Sequence, residues 1–218
     1  MNTHLLSMSL LLAGLLLSPA RLQAETRLMV GAGVTNYLVN TPDGAWWQSD
    51  QRHGFDTLSL ALKAGLETTI TDSWYLGAGY LSLGRAQAWT DAQRDDTFYG
   101  GTHGRVDKFI QAVDRVQGGE LYAGYRWPTQ PLQPYLTVGL AHFWHRVTQT
   151  HDTQRDGAIV RAQDISLNGT YLAWRVGGGA CYRWLCGEVT YYKGLGGTNF
   201  PIATNAVVPM LTLNIPLF

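Results

Sequence analysis

Between residues 57 and 70 the chain alternates apolar and polar positions with a period of two. Leu58, Leu60, Leu62, Ala64, Leu66 and Ile70 share one phase, and Ser59, Lys63, Gly65 and Glu67 share the other. A period of two marks a strand with two unlike faces, and this stretch is long enough to cross a bilayer at a tilt. Similar runs occur at 27–38, 74–83, 117–127, 135–147, 170–182, 186–193 and 207–218, which makes eight. A helical reading fails because the apolar residues recur at two rather than at three and four.

The gaps between these runs alternate in length. Thr71, Asp72 and Ser73 join runs two and three; residues 128–134 join four and five; Arg183, Trp184 and Leu185 join six and seven. The other four connections, 39–56, 84–116, 148–169 and 194–206, are long and polar. Together these features predict an all-β fold: an eight-stranded antiparallel up-and-down transmembrane β-barrel with short periplasmic turns and long extracellular loops. Aromatic residues agree with that plan. Trp74, Trp127, Tyr135, Tyr182 and Trp184 lie near the short turns, and Trp89, Trp144, Tyr171 and Tyr191 near the other strand ends. Two such girdles suit the preference of amphipathic rings for the two membrane interfaces.

The polar phase tells the inside from the outside. A soluble carrier barrel would keep its apolar face inside. Placing the Leu58 phase outward instead sends Lys63, Glu67, Glu120, Arg126, Arg175 and Glu188 into the lumen, with Gly31, Gly65, Gly79, Gly139 and Gly177 beside them. The bore of an eight-stranded barrel is just wide enough for side chains, so small glycines leave room for long charged ones. Three cations against three anions allow pairing in a mostly dry interior, whereas an ion-selective ring shows one sign in excess. The expectation is a polar, filled lumen made of ion pairs.

Composition adds a leader and removes one partner class. Residues 5–17 are an apolar run of signal-peptide length, too short to span a bilayer as a helix. Residues 1–24 are therefore read as a signal peptide, cleaved after Ala24 or alternatively after Ala20, and 25–218 as the barrel. The formal charge is zero, 16 basic against 16 acidic residues, which gives no footing for a nucleic-acid partner. Charged residues are only 15% of the chain, below the roughly 25% of globular proteins, as suits an exterior that does not face water.

Two segments carry a resemblance. Gln133-Pro134-Tyr135-Leu136-Thr137-Val138-Gly139-Leu140 and Ala173-Trp174-Arg175-Val176-Gly177-Gly178-Gly179-Ala180 resemble the strands of small outer-membrane barrels. The chain is similar over its mature length to barrels of the OmpA-membrane-domain, OmpX and opacity-protein type. Phe218 resembles the terminal assembly signal of clients of the barrel-assembly machinery, although Thr212, Asn214 and Pro216 occupy positions in phase with it. The resemblance implies location in the outer membrane of a Gram-negative bacterium after signal cleavage. It also implies outer-membrane lipid and lipopolysaccharide as surroundings, and the barrel-assembly machinery as a partner in biogenesis. It carries fold rather than task.

Some small outer-membrane barrels are lipid A-modifying enzymes. Where a deacylase of that type carries a His-x-Ser pair, this chain reads Thr190, Tyr191, Tyr192 and Lys193. His53, Asp50 and Ser49 form a trio in the first long connection, of a kind that polar loops offer by chance. No catalytic residue and no cofactor is assigned. His142 and His145 are three apart, so a strand points them to opposite faces, and no metal site is assigned either. Cys181 and Cys186 flank the third short turn in the inward phase, as a candidate disulfide with little entropic effect because so short a loop is closed.

The function expected is thus a structural or surface-recognition role through the long loops, with an unknown extracellular ligand. Residues 84–116 are the main candidate, mixing Asp91, Arg94, Arg105, Asp107 and Lys108 with Trp89 and Phe109. A lipid A-modifying enzyme and a narrow solute channel are the alternatives.

Overall fold

The computed structural model describes residues 25–38, 52–94, 105–129, 131–155, 158–195 and 205–217; the expected signal segment 1–24 and Phe218 lie outside them. Regular structure among the described residues is entirely strand: β1 (Thr26–Leu38), β2 (Arg52–Asp56), β3 (Leu58–Thr69), β4 (Trp74–Arg94), β5 (Arg105–Arg126), β6 (Leu132–Arg155), β7 (Ala158–Tyr182), β8 (Leu185–Lys193) and β9 (Asn205–Pro216). Consecutive strands from β3 to β9 pair antiparallel, and β1 pairs with both β3 and β9. Those eight strands close into an antiparallel barrel. Closure leaves the wall no free edge, which is what a chain crossing hydrocarbon requires.

Burial alternates along each strand and sorts the two faces. Met29, Thr35 and Tyr37 on β1 are buried in the bore, while Val30 and Val34 are exposed on the outer wall. On β3, Ala61, Lys63 and Glu67 point inward, and Leu58, Leu60, Leu62 and Leu66 point outward. The outer wall is an apolar band, with Trp74, Trp127, Tyr182 and Trp184 exposed at the end carrying the short turns and Tyr80, Trp144 and Tyr191 exposed toward the other. Two aromatic residues assigned to the girdles face the bore instead. Tyr135 is buried there, and the Tyr171 ring stacks on His145 with centroids 4.6 Å apart. Their inward phase was visible in the alternation; nearness to a strand end alone misplaced them.

The short turns are closed by local hydrogen bonds. The Trp74 amide donates to Thr71 Oγ1 at 3.1 Å, and the Ile70 amide donates back to the Trp74 carbonyl at 2.8 Å. In the third turn Arg183 has a φ of 57°, a left-handed backbone costing a side-chain-bearing residue about 1–2 kcal/mol. Just above it Cys181 and Cys186 face each other across β7 and β8 and are joined by a disulfide.

At the opposite end the ladder runs on into segments read from the sequence as loops. Residues 84–94 and 105–116 belong to β4 and β5, and 148–155 and 158–169 to β6 and β7, all in continuous antiparallel register apart from local bulges. These stretches lack the regular apolar and polar alternation of the barrel wall, so the sequence looks like a loop although the backbone is paired. The changeover is marked at Gly84, which has a φ of 75° and lies between register shifts. Tyr37 reaches from the bore to donate to the Leu83 carbonyl at 3.0 Å, and Ser59 Oγ accepts from the Arg85 amide at 2.9 Å. Beyond this point β2 replaces β3 as the neighbour of β4.

Glycine size is a requirement at one cross-strand pair. Gly65 faces Gly79, and a Cβ on Gly65 would meet the Ala78 carbonyl oxygen at 2.5 Å and the Gly79 Cα at 2.8 Å. Both are backbone atoms that cannot swing aside. A Cβ on outward-facing Gly119 meets nothing nearer than 3.8 Å. Gly65→Ala is therefore expected to lower the folded fraction in vesicles, read by heat-modifiable gel mobility, while Gly119→Ala leaves it unchanged. Equal yields would mean that β3 and β4 lie farther apart than described.

Candidate functional site

All six charged residues of the inward phase meet inside the barrel, in two clusters. The larger joins four strands. Lys63 Nζ on β3 lies 3.0 Å from Glu120 on β5 and 3.1 Å from Glu188 on β8. Arg175 on β7 approaches Glu120 with Nε at 2.9 Å and Glu188 with a terminal nitrogen at 3.7 Å. The smaller cluster lies nearer the turns, where Arg126 contacts Glu67 at 3.0 Å. Each anion thus has a cation, as ions taken from water must.

Aromatic residues complete the network, and charge arithmetic on the sequence did not find them. Tyr192 donates to Glu120 at 2.7 Å, Tyr122 donates to Glu67 at 3.1 Å, and the Asn214 amide reaches Glu67 at 3.4 Å. The Arg175 guanidinium lies 3.9 Å from the centre of the Tyr122 ring, and that of Arg126 lies 4.7 Å from Tyr75. Tyr122, Tyr135 and Tyr192 share the phase of the charges, so the same alternation contained the signal.

The bore is not polar throughout. Toward the end opposite the short turns the inward positions are Leu81, Leu83, Val116, Phe143, Val147, Leu195, Val208 and Met210, which pack with Tyr37 and Tyr192 into one buried apolar cluster. The expected polar, filled lumen is thus filled, but polar only in part. Charges fill the part nearer the turns, and a hydrophobic core seals the rest. Purified protein in planar bilayers is accordingly expected to pass no steady current. Reproducible single-channel steps would show that the packing opens.

The candidate catalytic positions are described only in part. On β8, Thr190 and Tyr192 point into the bore, while Tyr191 and Lys193 point out. Ser49 and Asp50 lie outside the described residues, and His53 belongs to β2. His142 is exposed on the outer wall and His145 is buried on the inner side. Among the described residues no group of three or more metal-ligating side chains gathers.

The other candidate is the part standing above the upper aromatic girdle. There the distal parts of β4, β5, β6 and β7, flanked by β2, form a sheet that does not close into a ring among the described residues. β8 stops pairing with β7 at Trp174, so among the described residues the stretch 158–173 of β7 is paired on one side only. An edge of this kind presents unpaired backbone donors and acceptors.

No protein-family model and no curated protein matches the chain. Among solved structures it is similar to the attachment invasion locus protein Ail of Yersinia pestis, crystallised with the heparin analogue sucrose octasulfate, at 11% identity, 89% coverage of this chain, 99% of that one and a TM-score of 0.38. It is also similar to Neisserial surface protein A, at 13% identity, with 86% and 96% coverage and a TM-score of 0.41. A mutant porin of Rh. blastica matches at 9% identity, with 88% and 100% coverage and a TM-score of 0.20.

Proposed function

We propose that this chain is a surface protein of a Gram-negative outer membrane, freed of residues 1–24, that binds an extracellular macromolecule through its projecting sheet. The observation that carries the reading is the continuation of four barrel strands, with β2 beside them, well past the upper aromatic girdle. A barrel needs no such extension to be stable in lipid, because its wall is already closed. A raised sheet whose β2 and distal β7 strands are each paired on one side only among the described residues offers backbone hydrogen bonds for strand addition and side chains for specificity. The filled bore supports a scaffold role for the barrel itself rather than transport. The barrel-assembly machinery would insert it, and lipopolysaccharide would surround it.

The test trims the sheet and leaves the barrel. Replacing residues 88–113 with a short Gly-Ser turn spares Leu83, Ala86 and Val116, which belong to the buried core of the bore. A non-adherent bacterial host displaying the full chain is expected to adhere to mammalian cell monolayers. The trimmed variant should stay heat-modifiable in the outer membrane while adherence falls to the level of empty vector. Equal adherence by both would remove the sheet from recognition.

A further inference from the structure

The outer wall of β5, β6 and β7 changes character in regular steps, because residues paired across the strands form level rows. The row of Leu121, Leu140 and Trp174 is apolar; two residues higher come Gly119, His142 and Leu172; then Gln117, Trp144 and Thr170; then Arg115, Arg146 and Asn168. Each row lies about 7 Å farther along the strands. Two arginines are therefore direct cross-strand neighbours, one row beyond the interfacial Trp144, and both are exposed.

Like charges placed directly opposite one another on a sheet repel. Among the described residues no carboxylate pairs with either guanidinium, and no acidic side chain lines the open cavity of about 630 Å³ that both arginines border. The surroundings supply further donors. Arg146 Nε donates to Ser166 Oγ at 3.1 Å, which orients its guanidinium. Tyr80 donates to the Gln117 carbonyl oxygen at 2.7 Å and packs its ring 6.1 Å from Trp144, which leaves the Gln117 amide nitrogen as the donor end. Asn168 and Thr170 complete the rim.

We propose that this cavity binds a phosphate of the phosphorylated, acylated glycolipid of the outer leaflet, lipid A, with Arg115 and Arg146 as the paired cations. Charge complementarity selects the anion, since two adjacent guanidiniums that no described carboxylate pairs fit a phosphate. Position selects the lipid. The cavity sits where head groups meet water, above Trp144, and the wall below it is the apolar surface along which acyl chains lie. The leaflet follows from the proposed outer-membrane orientation, on which this inference rests.

The experiment uses the full mature chain refolded in uncharged detergent micelles, so that binding is read independently of where the protein resides in the cell. Affinity for bisphosphorylated lipid A is compared with that for the same lipid stripped of phosphate, and inorganic phosphate is added as competitor. Tight binding of the phosphorylated lipid is expected. It should weaken at least about tenfold without the phosphates, or in Arg115→Gln/Arg146→Gln. Arg115→Lys/Arg146→Lys should retain most of it. Folding of each variant is checked by heat-modifiable mobility; if the double variant fails to fold, Arg146→Gln alone takes its place. Undiminished binding by the folded glutamine variant, or equal binding of the dephosphorylated lipid, overturns the site. Displacement by millimolar inorganic phosphate overturns the lipid and leaves a simple anion site. Finding the protein in another membrane on cell fractionation would overturn the orientation, and would leave the binding measurement intact.

Discussion

Replacing Arg175 by alanine is expected to cost about 3–5 kcal/mol of unfolding free energy, the usual result of breaking a buried ion network by removing one partner. Arg175 is 0% exposed and contacts both Glu120 and Glu188. Without it Lys63 alone faces two carboxylates in a bore already sealed by apolar packing. Urea titration of the full chain in phospholipid vesicles, followed by tryptophan fluorescence, measures the loss. The double variant Arg175→Met/Glu188→Gln restores one cation against one anion and is expected to recover most of it. A loss under about 1 kcal/mol for Arg175→Ala would mean that water reaches these carboxylates, because an exposed pair contributes no more than that.

Leu62→Arg is expected to cost about 2–4 kcal/mol, the penalty for a cation on the lipid face near the middle of the membrane. Leu62 is 49% exposed between inward Ala61 and Lys63, and it lies near the middle of β3, which spans Leu58–Thr69. Leu62→Met keeps the apolar surface and should be close to neutral. The same vesicle titration reads both. If arginine were tolerated as well as methionine at this position, the outer wall would not face hydrocarbon, and the assignment of inside and outside would fall with it.

The alternation of Leu58, Leu60, Leu62 and Leu66 with Ser59, Lys63 and Glu67 was enough to place a strand, its two faces and its charged lumenal residues. So were the matching runs elsewhere. That information is local, because successive side chains of a strand must point to opposite sides whatever the strand pairs with. The same rule would have turned Tyr135 inward and admitted Leu81, Val116 and Phe143 to the bore, had apolar residues in the polar phase been given equal weight.

Partnership was decided only by the tertiary structure. Lys63 and Glu188 are separated by 125 positions, and their contact depends on the stagger with which eight strands close, a property of the whole ring. The projecting sheet was hidden for a different reason. Residues 84–94 and 105–116 are held in register by backbone pairing, and backbone hydrogen bonds carry no side-chain signature. The row that brings Arg115 beside Arg146 depends on register across β5 and β6, reached through the shift between Val113 and Arg115. Periodicity tells which way each side chain points. Which other side chain it meets is set by closure and register, and those belong to the folded ring.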